Sequence, residues 1–524
     1  MLKDGKIYTG RTDDGREISI LPNMANRHGL IAGATGTGKT ITLKVLAESF
    51  SDMGVPVFLA DVKGDLAGMI QPGEDSADMQ ERIQRFGLAD TDFAFGARPA
   101  QFWDIYGKKG IQLRTTISEM GPLLLSRILG LNDIQTQILT ITFKIADDNS
   151  LLLIDTKDLK AMLSWMDDHR ADLKQDYGNI SSNSIAAIIR SITTLEMAGG
   201  DVFFGEPALN IQDLFALDGG KGVINILDSQ SLINSPAMYS TFLLWLLSEL
   251  FETLPEVGDA AKPKMVFFFD EAHLLFDGAS KDLLGKIEQV VRLIRSKGVG
   301  IYFVTQNPGD VPDDILAQLG NKILHGLRAY TPAEQKKVKA AALSFRENPA
   351  FDAYDTILNL ATGQAVVSFL DEKGTPAVSE KVSILPPQSK MGPVTDEDRQ
   401  AVIRSSVLYS KYANAVDPDS AYEFLQRKGL EEEAAAQEAA QKTALEKQQA
   451  KEEAARAKEE AKKQAQAERA KKRAAKTVAG TIAGTVGREA GKAVGKNFGK
   501  FGKTMGGNVG ASLARGILST LFKQ

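Results

Sequence analysis

A glycine-rich segment near the start of the chain carries the clearest chemical signal. It fits the pattern GxxxxGK[ST] with the residues Gly33, Ala34, Thr35, Gly36, Thr37, Gly38, Lys39 and Thr40. Glycines let a backbone wrap an anion with converging N–H groups, and the N-terminus of a following helix adds positive potential. We expect Lys39 to reach the β- and γ-phosphates of a nucleotide and the Thr40 hydroxyl to ligate Mg²⁺. The segment therefore predicts a phosphate-binding loop.

Two adjacent carboxylates follow a later apolar run. Asp270 and Glu271 come directly after Met265–Phe269, which is predicted to be a buried strand. We expect Asp270 to hold Mg²⁺, through water, and Glu271 to orient and polarise an attacking water molecule. A water-polarising carboxylate favours hydrolysis over phosphoryl transfer to a second substrate.

Two further polar residues end predicted strands. Gln306 follows Gly300–Thr305, and Asp61 follows Val55–Ala60. Ligands of parallel sheets bind at the carboxyl ends of the strands. We therefore predict that Gln306 senses the γ-phosphate or positions water and that Asp61 has a nucleotide-linked role. A purely structural role remains the alternative for each.

The segment from Asn321 to Leu324 bears on the identity of the base. It begins like the guanine-reading pattern NKxD but has Leu324 where an aspartate must accept two hydrogen bonds. Adenine is therefore the expected base, and ATP the expected nucleotide.

The segments that must position these residues alternate between strand and helix patterns, which predicts an α/β fold with a parallel sheet. The predicted strands are Lys6–Thr9, Glu17–Ile20, His28–Ala32, Val55–Ala60, Val223–Leu227, Met265–Phe269, Gly300–Thr305, Lys322–Leu327 and Ala365–Phe369. The predicted helices of the core are Lys39–Phe50, Met238–Thr253, Lys281–Arg295 and Pro332–Ala342. Helix-length periodic stretches between the two halves run over Ser118–Asp147, Lys157–Asp172 and Ser184–Ala198.

This alternation indicates how the chain is divided. Residues 1–68 are the first part of the core, 69–218 a mainly helical insertion, and 219–387 the second part of the core. After these come a short helical region at 388–425, an Ala/Glu/Lys-rich spacer at 426–476 that favours a solvated helix, and a Gly-rich basic tail at 477–524.

Composition excludes several classes of site and shows a charge asymmetry. The chain has 524 residues, no cysteine and four histidines, which excludes disulfides and makes thiolate or histidine-rich metal sites poor candidates. No run of 18 apolar residues occurs, so we expect a cytoplasmic protein. The net charge is −5, yet Lys and Arg outnumber Glu by 14 to 10 in residues 426–476 and by 7 to 1 in 477–524.

The motifs resemble the HerA/FtsK branch of P-loop ATPases, which are hexameric ring motors. The resemblance rests on His28–Thr40, the Asp61 segment, Asp270–His273 and the Thr-Gln-x-Pro stretch at Gln306, and it covers roughly residues 1–385. The stretch Arg114–Pro122 is similar to the bacterial HerA-like proteins of the YjgR type. The resemblance implies a RecA-like core, ATP and Mg²⁺ as cofactors, and a homo-oligomeric ring, as well as DNA as a partner. Few residues precede the first core strand, so a separate N-terminal barrel that clamps DNA is not expected.

Ring motors of this kind complete each site with an arginine from the neighbouring subunit. Arg328, just past a predicted strand, and Arg295, at the end of a predicted helix, are the candidates. A surface or ion-pair role is the alternative for each.

The tail has a pattern of its own. Glycines recur every three or four residues from Gly480 to Gly506, beside a stripe of lysines from Lys492 to Lys503. This arrangement suits close helix packing or an anionic membrane surface, and a flexible tail is the alternative. Two functions follow as hypotheses: a HerA-like motor that hydrolyses ATP and moves DNA, or an ATPase that associates peripherally with membranes and assembles or remodels proteins through its tail.

Overall fold

The computed structural model describes residues 1–475 except 90, 92, 278 and 280, and side chains are described except those of 282 and 465–475. The predicted Gly-rich tail at 477–524, and with it the glycine and lysine stripes, lies outside the described residues. The described part of the chain divides into two units. The first comprises Met1–Lys144, Leu152–Lys160 and Ser181–Pro418.

The first unit is built around one large sheet. The strands in chain order are β1 (Leu2–Lys3), β2 (Lys6–Thr12), β3 (Glu17–Ile20), β4 (Gly29–Ala32), β5 (Val57–Asp61), β6 (Ala100–Asp104), β7 (Ile111–Gln112), β8 (Leu217–Asp218), β9 (Lys221–Gly222), β10 (Ile224–Asp228), β11 (Met265–Phe269), β12 (Val299–Thr305), β13 (Asn321–His325), β14 (Gln364–Ser368) and β15 (Glu380–Ile384). Of these described strands, all but the small β8–β9 pair join the same sheet.

The order of strands places the site-bearing strands side by side. It runs β1-β2-β15-β14-β13-β4-β12-β11-β5-β10-β6-β7, and β3 pairs with β2. From β13 to β7 the neighbours are parallel, whereas β14, β15, β2 and β1 are added antiparallel. The carboxyl ends of β4, β12, β11 and β5 therefore lie at one edge of the sheet.

Helices cover the sheet and form the region inserted between its halves. They are α1 (Lys39–Asp52), α2 (Ala77–Arg85), α3 (Ile117–Ile128), α4 (Asp133–Asp148), α5 (Thr156–Asp168), α6 (Arg170–Tyr177), α7 (Ser182–Leu195), α8 (Asp201–Phe203), α9 (Pro236–Thr253), α10 (His273–Phe276), α11 (Lys281–Ile294), α12 (Asp313–Leu316), α13 (Pro332–Leu343), α14 (Ala353–Asn359), α15 (Asp396–Ser405), α16 (Tyr409–Tyr412) and α17 (Ala421–Ala475).

Burial explains why the core strands read as continuous apolar runs. Every residue of β4, β5, β10, β11 and β12 is buried. Parallel strands covered by helices on both faces have no solvent face, so alternation of polar and apolar residues is lost. Helix α9 shows the same effect, since its buried residues lie all around the helix.

The predicted α/β fold with a parallel sheet is confirmed, and several elements differ from expectation. The range 69–218 also supplies β6, which pairs with β10 in the main sheet, so this range is more than a helical insertion. The periodic stretch Ser118–Asp147 is two helices, α3 and α4, because Gly130 between them takes a left-handed φ of 62°. Likewise Lys157–Asp172 spans α5 and α6. The domain boundaries themselves stay a prediction.

The N-terminal strands extend the core sheet. β2 pairs antiparallel with β15, through Gly10 and Ile384 among others, and β15 was not recognised in the sequence. Residues 1–20 thus belong to the same sheet as the phosphate loop.

The second unit comprises Ile145–Leu151, Ala161–Ile180 and the residues from Asp419 onward. Its longest element is α17, 55 residues long, which includes nearly all of the predicted spacer. Its side chains between 435 and 464 are exposed throughout, in agreement with a helix that buries no apolar seam. Over the described residues, no helix has the length and apolarity required to cross a membrane.

Candidate active site

The glycine-rich segment forms a tight loop between β4 and α1. Gly33, Gly36 and Gly38 have φ values of 157°, 78° and 114°, in a region that side-chain-bearing residues rarely adopt. A Cβ added at Gly33 would lie 2.5 Å from the Cβ of His325. The loop backbone therefore keeps its shape only with glycine at these positions, which is the cradle expected for phosphate.

Two neighbouring backbone segments anchor this loop. The Ala34 N–H donates to the carbonyl of Gly326 at 2.9 Å, and the Gly363 N–H donates to the carbonyl of Thr37 at 3.0 Å. Gly326 follows β13 and Gly363 precedes β14. Neither residue was predicted, because a backbone hydrogen bond to a distant glycine leaves no pattern in the sequence.

Lys39 is the first residue of α1 and is buried. Its Nζ donates to the carbonyls of Gly33 at 2.6 Å and Ala34 at 3.1 Å, which holds the ammonium over the loop. Burial lowers the pKa of Lys39, and the carboxylates of Asp270 and Glu271 act in the opposite direction. The lysine and the carboxylate pair are thus within electrostatic reach of each other.

Asp270 follows β11 at the same edge of the sheet. Desolvation, followed by the neighbouring Glu271, raises the pKa of Asp270 to about 6. Its backbone carbonyl accepts a hydrogen bond from the Tyr239 hydroxyl at 2.7 Å, and its Oδ1 accepts one from the Glu271 N–H at 2.9 Å. This carboxyl group is held rigidly in a poorly solvated place. A cation nearby would restore its ionised form.

Glu271 has an unusual backbone for its residue type. Its φ is 48°, although it is not a glycine, and its side chain is largely buried. The Gln306 Nε2 lies 3.4 Å from both Glu271 carboxylate oxygens, and the His273 Nδ1 lies 3.5 Å from Oε2. The strained turn re-aims the carboxylate toward Gln306, which follows the adjacent strand β12. The structure thus brings together two residues that were singled out separately in the sequence.

Asp61 ends β5, next to β11, and is tied to its own loop. Its carboxylate accepts hydrogen bonds from the Gly64 N–H at 2.7 Å and the Leu66 N–H at 3.1 Å. Burial is the largest cause that raises the pKa of Asp61, to about 7, and Asp65 adds to it. These contacts give Asp61 a structural task in shaping the loop. A nucleotide-linked role stays a prediction.

The two candidate arginines occupy opposite ends of the parallel strands. Arg328 is exposed and follows β13 at the edge that holds the phosphate loop, two residues after the loop anchor Gly326. Arg295 is half-buried and precedes β12, so it lies at the amino-terminal edge. Burial lowers the pKa of Arg295, and Arg27 adds to this effect. Action of either arginine in a neighbouring subunit stays a prediction.

His325 supports the loop and was not predicted. Its Nδ1–H donates to the Gln364 carbonyl at 2.9 Å, and its Nε2 accepts from the Thr42 hydroxyl at 2.8 Å. Burial lowers the pKa of His325 to about 4, so the ring is neutral and joins α1 to the strands β13 and β14. A histidine within a strand carries no sign of this contact in the sequence.

The residues present fit ATP and Mg²⁺. Helix α1 begins without a side-chain cap, so its first-turn N–H groups face the loop and suit an anion. The Thr40 hydroxyl and the Asp270 carboxylate are oxygen donors of the kind Mg²⁺ prefers. Across the described residues no group of three or more His, Asp or Glu side chains could hold a metal ion. This agrees with Mg²⁺ held largely by phosphates and water.

Comparison with known proteins was made with family models, with sequences and with solved structures. The chain is 23% identical over 354 residues to the DNA double-strand break repair helicase HerA of Sulfolobus acidocaldarius, and this match covers 67% of the chain and 64% of that protein. It is 23% identical over 379 residues to the protein of the same name from Sulfurisphaera tokodaii, covering 70% of the chain and 67% of that protein. The chain thus spans about two thirds of the length of these relatives.

Two solved structures are similar at lower identity. VirB4 of Thermoanaerobacter pseudethanolicus is 16% identical with a TM-score of 0.49, and the match covers 73% of this chain and 97% of that one. The plasmid coupling protein TrwB in complex with a non-hydrolysable ATP analogue is 15% identical with a TM-score of 0.49, covering 71% and 87%.

The family comparison is the most extensive. The model described as Helicase HerA-like C-terminal matches residues 6–511, which includes the phosphate loop, both carboxylates and Gln306. The chain therefore belongs to the helicase HerA-like C-terminal family of P-loop proteins.

Proposed function

We propose that this chain is a Mg²⁺-dependent ATPase and that it works as a ring-forming HerA-like motor on DNA. The observation that carries the proposal is the row β4, β12, β11 in the sheet. It sets the phosphate loop, Gln306 and the Asp270–Glu271 pair at the ends of three adjacent parallel strands. A phosphate cradle beside a buried carboxylate is the arrangement that hydrolysis of a terminal phosphate requires.

Each residue has a separate task in this proposal. The loop N–H groups and Lys39 bind the β- and γ-phosphates, and Thr40 and Asp270 would hold Mg²⁺. The bound Mg²⁺ would neutralise charge that develops on the phosphate oxygens. Glu271 orients the attacking water and takes up its proton, because its carboxylate is aimed toward Gln306 at the loop edge. Gln306 donates to the Glu271 carboxylate and would report the γ-phosphate.

Assembly completes the site in this proposal. Subunits would form a homo-oligomeric ring, a hexamer, and Arg328 or Arg295 of one subunit would reach the nucleotide of the next. An arginine supplied in this way stabilises transition-state charge.

The experiment is a steady-state ATPase assay on the full chain with duplex DNA, single strands, anionic vesicles or no addition. We expect Mg²⁺-dependent turnover that rises with DNA. The Lys39→Ala variant should lose tight ATP binding, and the matched variant Lys44→Ala should be avoided because Lys44 is buried. Lys6→Ala, exposed at the start of β2, serves as the control. Absence of turnover under every condition in a folded, ATP-binding protein would refute the ATPase.

A second candidate rests on the charge of the tail. Residues 477–524 carry seven basic residues against one acidic, which favours an anionic membrane surface. In that case vesicles rather than DNA would stimulate turnover, and the ATPase would assemble or remodel proteins at a membrane.

A further inference from the structure

A cavity of about 190 Å³ opens beside the phosphate loop. Its lining includes Ile41 in the first turn of α1, Met79 and Arg82 on α2, Gly363, and Pro386 beyond β15. It is continuous with the loop, because Gly38 also lines it. We name this cavity the base pocket. None of its residues was singled out for chemistry in the sequence.

The position of the base pocket follows from the order of strands. β4, which leads into the loop, has β12 and then β11 on one side and β13, β14 and β15 on the other. Glu271 and Gln306 belong to the β12–β11 side, whereas the base pocket lies on the β14–β15 side. A triphosphate whose γ-phosphate faces Glu271 must therefore direct its nucleoside away from that residue, toward the pocket.

Backbone contacts hold the pocket against the loop. The Gly363 N–H donates to Thr37, as described above, and the Ile384 N–H donates to the Gly363 carbonyl at 2.8 Å. A Cβ added at Gly38 would lie only 3.3 Å from the Gly363 Cα. The pocket and the phosphate cradle thus form one rigid surface, so a ligand that occupies both would not need to distort either.

The chemistry of the lining suits a flat, mostly apolar ring. Ile41 is half-buried and Met79 and Pro386 are buried, and these three offer apolar surface. Arg82 is exposed on α2, and its Nη1 lies 3.6 Å from the position a Cβ would take on Gly363. A guanidinium can stack on an aromatic ring and donate hydrogen bonds to ring nitrogens.

We propose that the base pocket binds the purine base of the nucleotide whose phosphates the loop holds, with Arg82 stacked on or donating to the base and Ile41 packed against it. This proposal rests on the proposed function, since it requires that a nucleotide binds the loop. It adds the residues that select a nucleoside triphosphate over a bare polyphosphate.

The test separates recognition of the base from recognition of the phosphates. Calorimetric titrations with Mg²⁺ would compare ATP with inorganic tripolyphosphate, which has the phosphates but no base. Arg82→Ala and Ile41→Ala should each raise the Kd for ATP about tenfold and leave the Kd for tripolyphosphate unchanged. Arg85→Ala removes the same charge from the same helix outside the pocket and should change neither value.

A measurement on the wild-type chain guards against variants that fold poorly. Photolabelling with 8-azido-ATP, followed by peptide mapping, should mark the segments that carry Ile41, Arg82 or Met391, which also lines the pocket. Labelling confined to other segments would overturn the base pocket.

The remaining outcomes distinguish the two proposals. Unchanged ATP affinity in both pocket variants, with binding lost in Lys39→Ala, would overturn the base pocket and leave the ATPase standing. If the wild type binds neither ATP nor tripolyphosphate, both proposals are overturned.

Discussion

Replacement of Glu271 tests the centre of the proposed mechanism. Glutamine has nearly the volume of glutamate, and its amide oxygen can still accept from Gln306, so Glu271→Gln should fold and bind ATP like the wild type. It cannot take up a proton from water. We expect kcat to fall by about 10²–10⁴-fold, the usual contribution of a positioned general base, which corresponds to ~3–5 kcal/mol in the activation barrier.

The backbone at this residue adds a second, independent quantity. A side-chain-bearing residue in the left-handed region costs about 1–2 kcal/mol, and Glu271 has a φ of 48°. Glycine would remove that cost but would lose roughly 0.5–1 kcal/mol through greater freedom of the unfolded chain. Glu271→Gly should therefore raise the free energy of unfolding by about 0.5–1 kcal/mol while it also abolishes turnover.

Asp4→Gly is the matched control for the backbone effect. Asp4 has a φ of 49° in an exposed turn between β1 and β2, away from the loop. It should gain similar stability and keep full activity. Urea unfolding followed by tryptophan fluorescence would measure stability, and steady-state assays with ATP-binding titrations would measure function. Wild-type turnover in Glu271→Gln would remove Glu271 from the mechanism, and a loss of stability in Glu271→Gly with a gain in Asp4→Gly would refute the strain argument.

Three other predictions concern assembly, pH and the tail. Arg328→Ala or Arg295→Ala should leave ATP affinity nearly intact and lower kcat by about 10³–10⁵-fold. Mixing either variant with Lys39→Ala subunits should restore some ATPase activity, and mixtures that exchange subunits but stay inactive for both arginines would exclude action in trans. The pKa of His325 is lowered from 6.5 to about 4, so its contribution to stability is complete above pH 6.5 and is lost as the pH falls toward 4, by up to ~3 kcal/mol. His325→Gln should therefore flatten the pH dependence of urea unfolding in this window, and an unchanged slope would contradict the burial argument. Deletion of residues 426–524 should leave basal ATPase activity intact and weaken binding to anionic vesicles, most clearly at low salt, whereas equal vesicle binding would refute the role of the tail.

Local signals in the sequence account for most of the elements at the site. Met265–Phe269 and Glu17–Ile20 were predicted with the bounds the structure shows, and α1 begins at Lys39 as expected. These elements are specified by apolar runs, turns and glycines within a few residues of one another, so no distant partner is needed to recognise them. Breaks such as the one at Gly130 were missed because apolar periodicity continues across them.

What the sequence by itself determined is the chemistry of the site: a phosphate loop, a carboxylate pair and a glutamine, each at the end of a strand. The tertiary structure alone decided their partners. The order of strands sets Gln306 against Glu271, adds β6 and β15 to the sheet, and brings Gly326 and Gly363 to the loop. These contacts join residues far apart in the chain, largely through backbone hydrogen bonds. Such bonds are available to almost any residue type, and for this physical reason they leave no trace in the sequence.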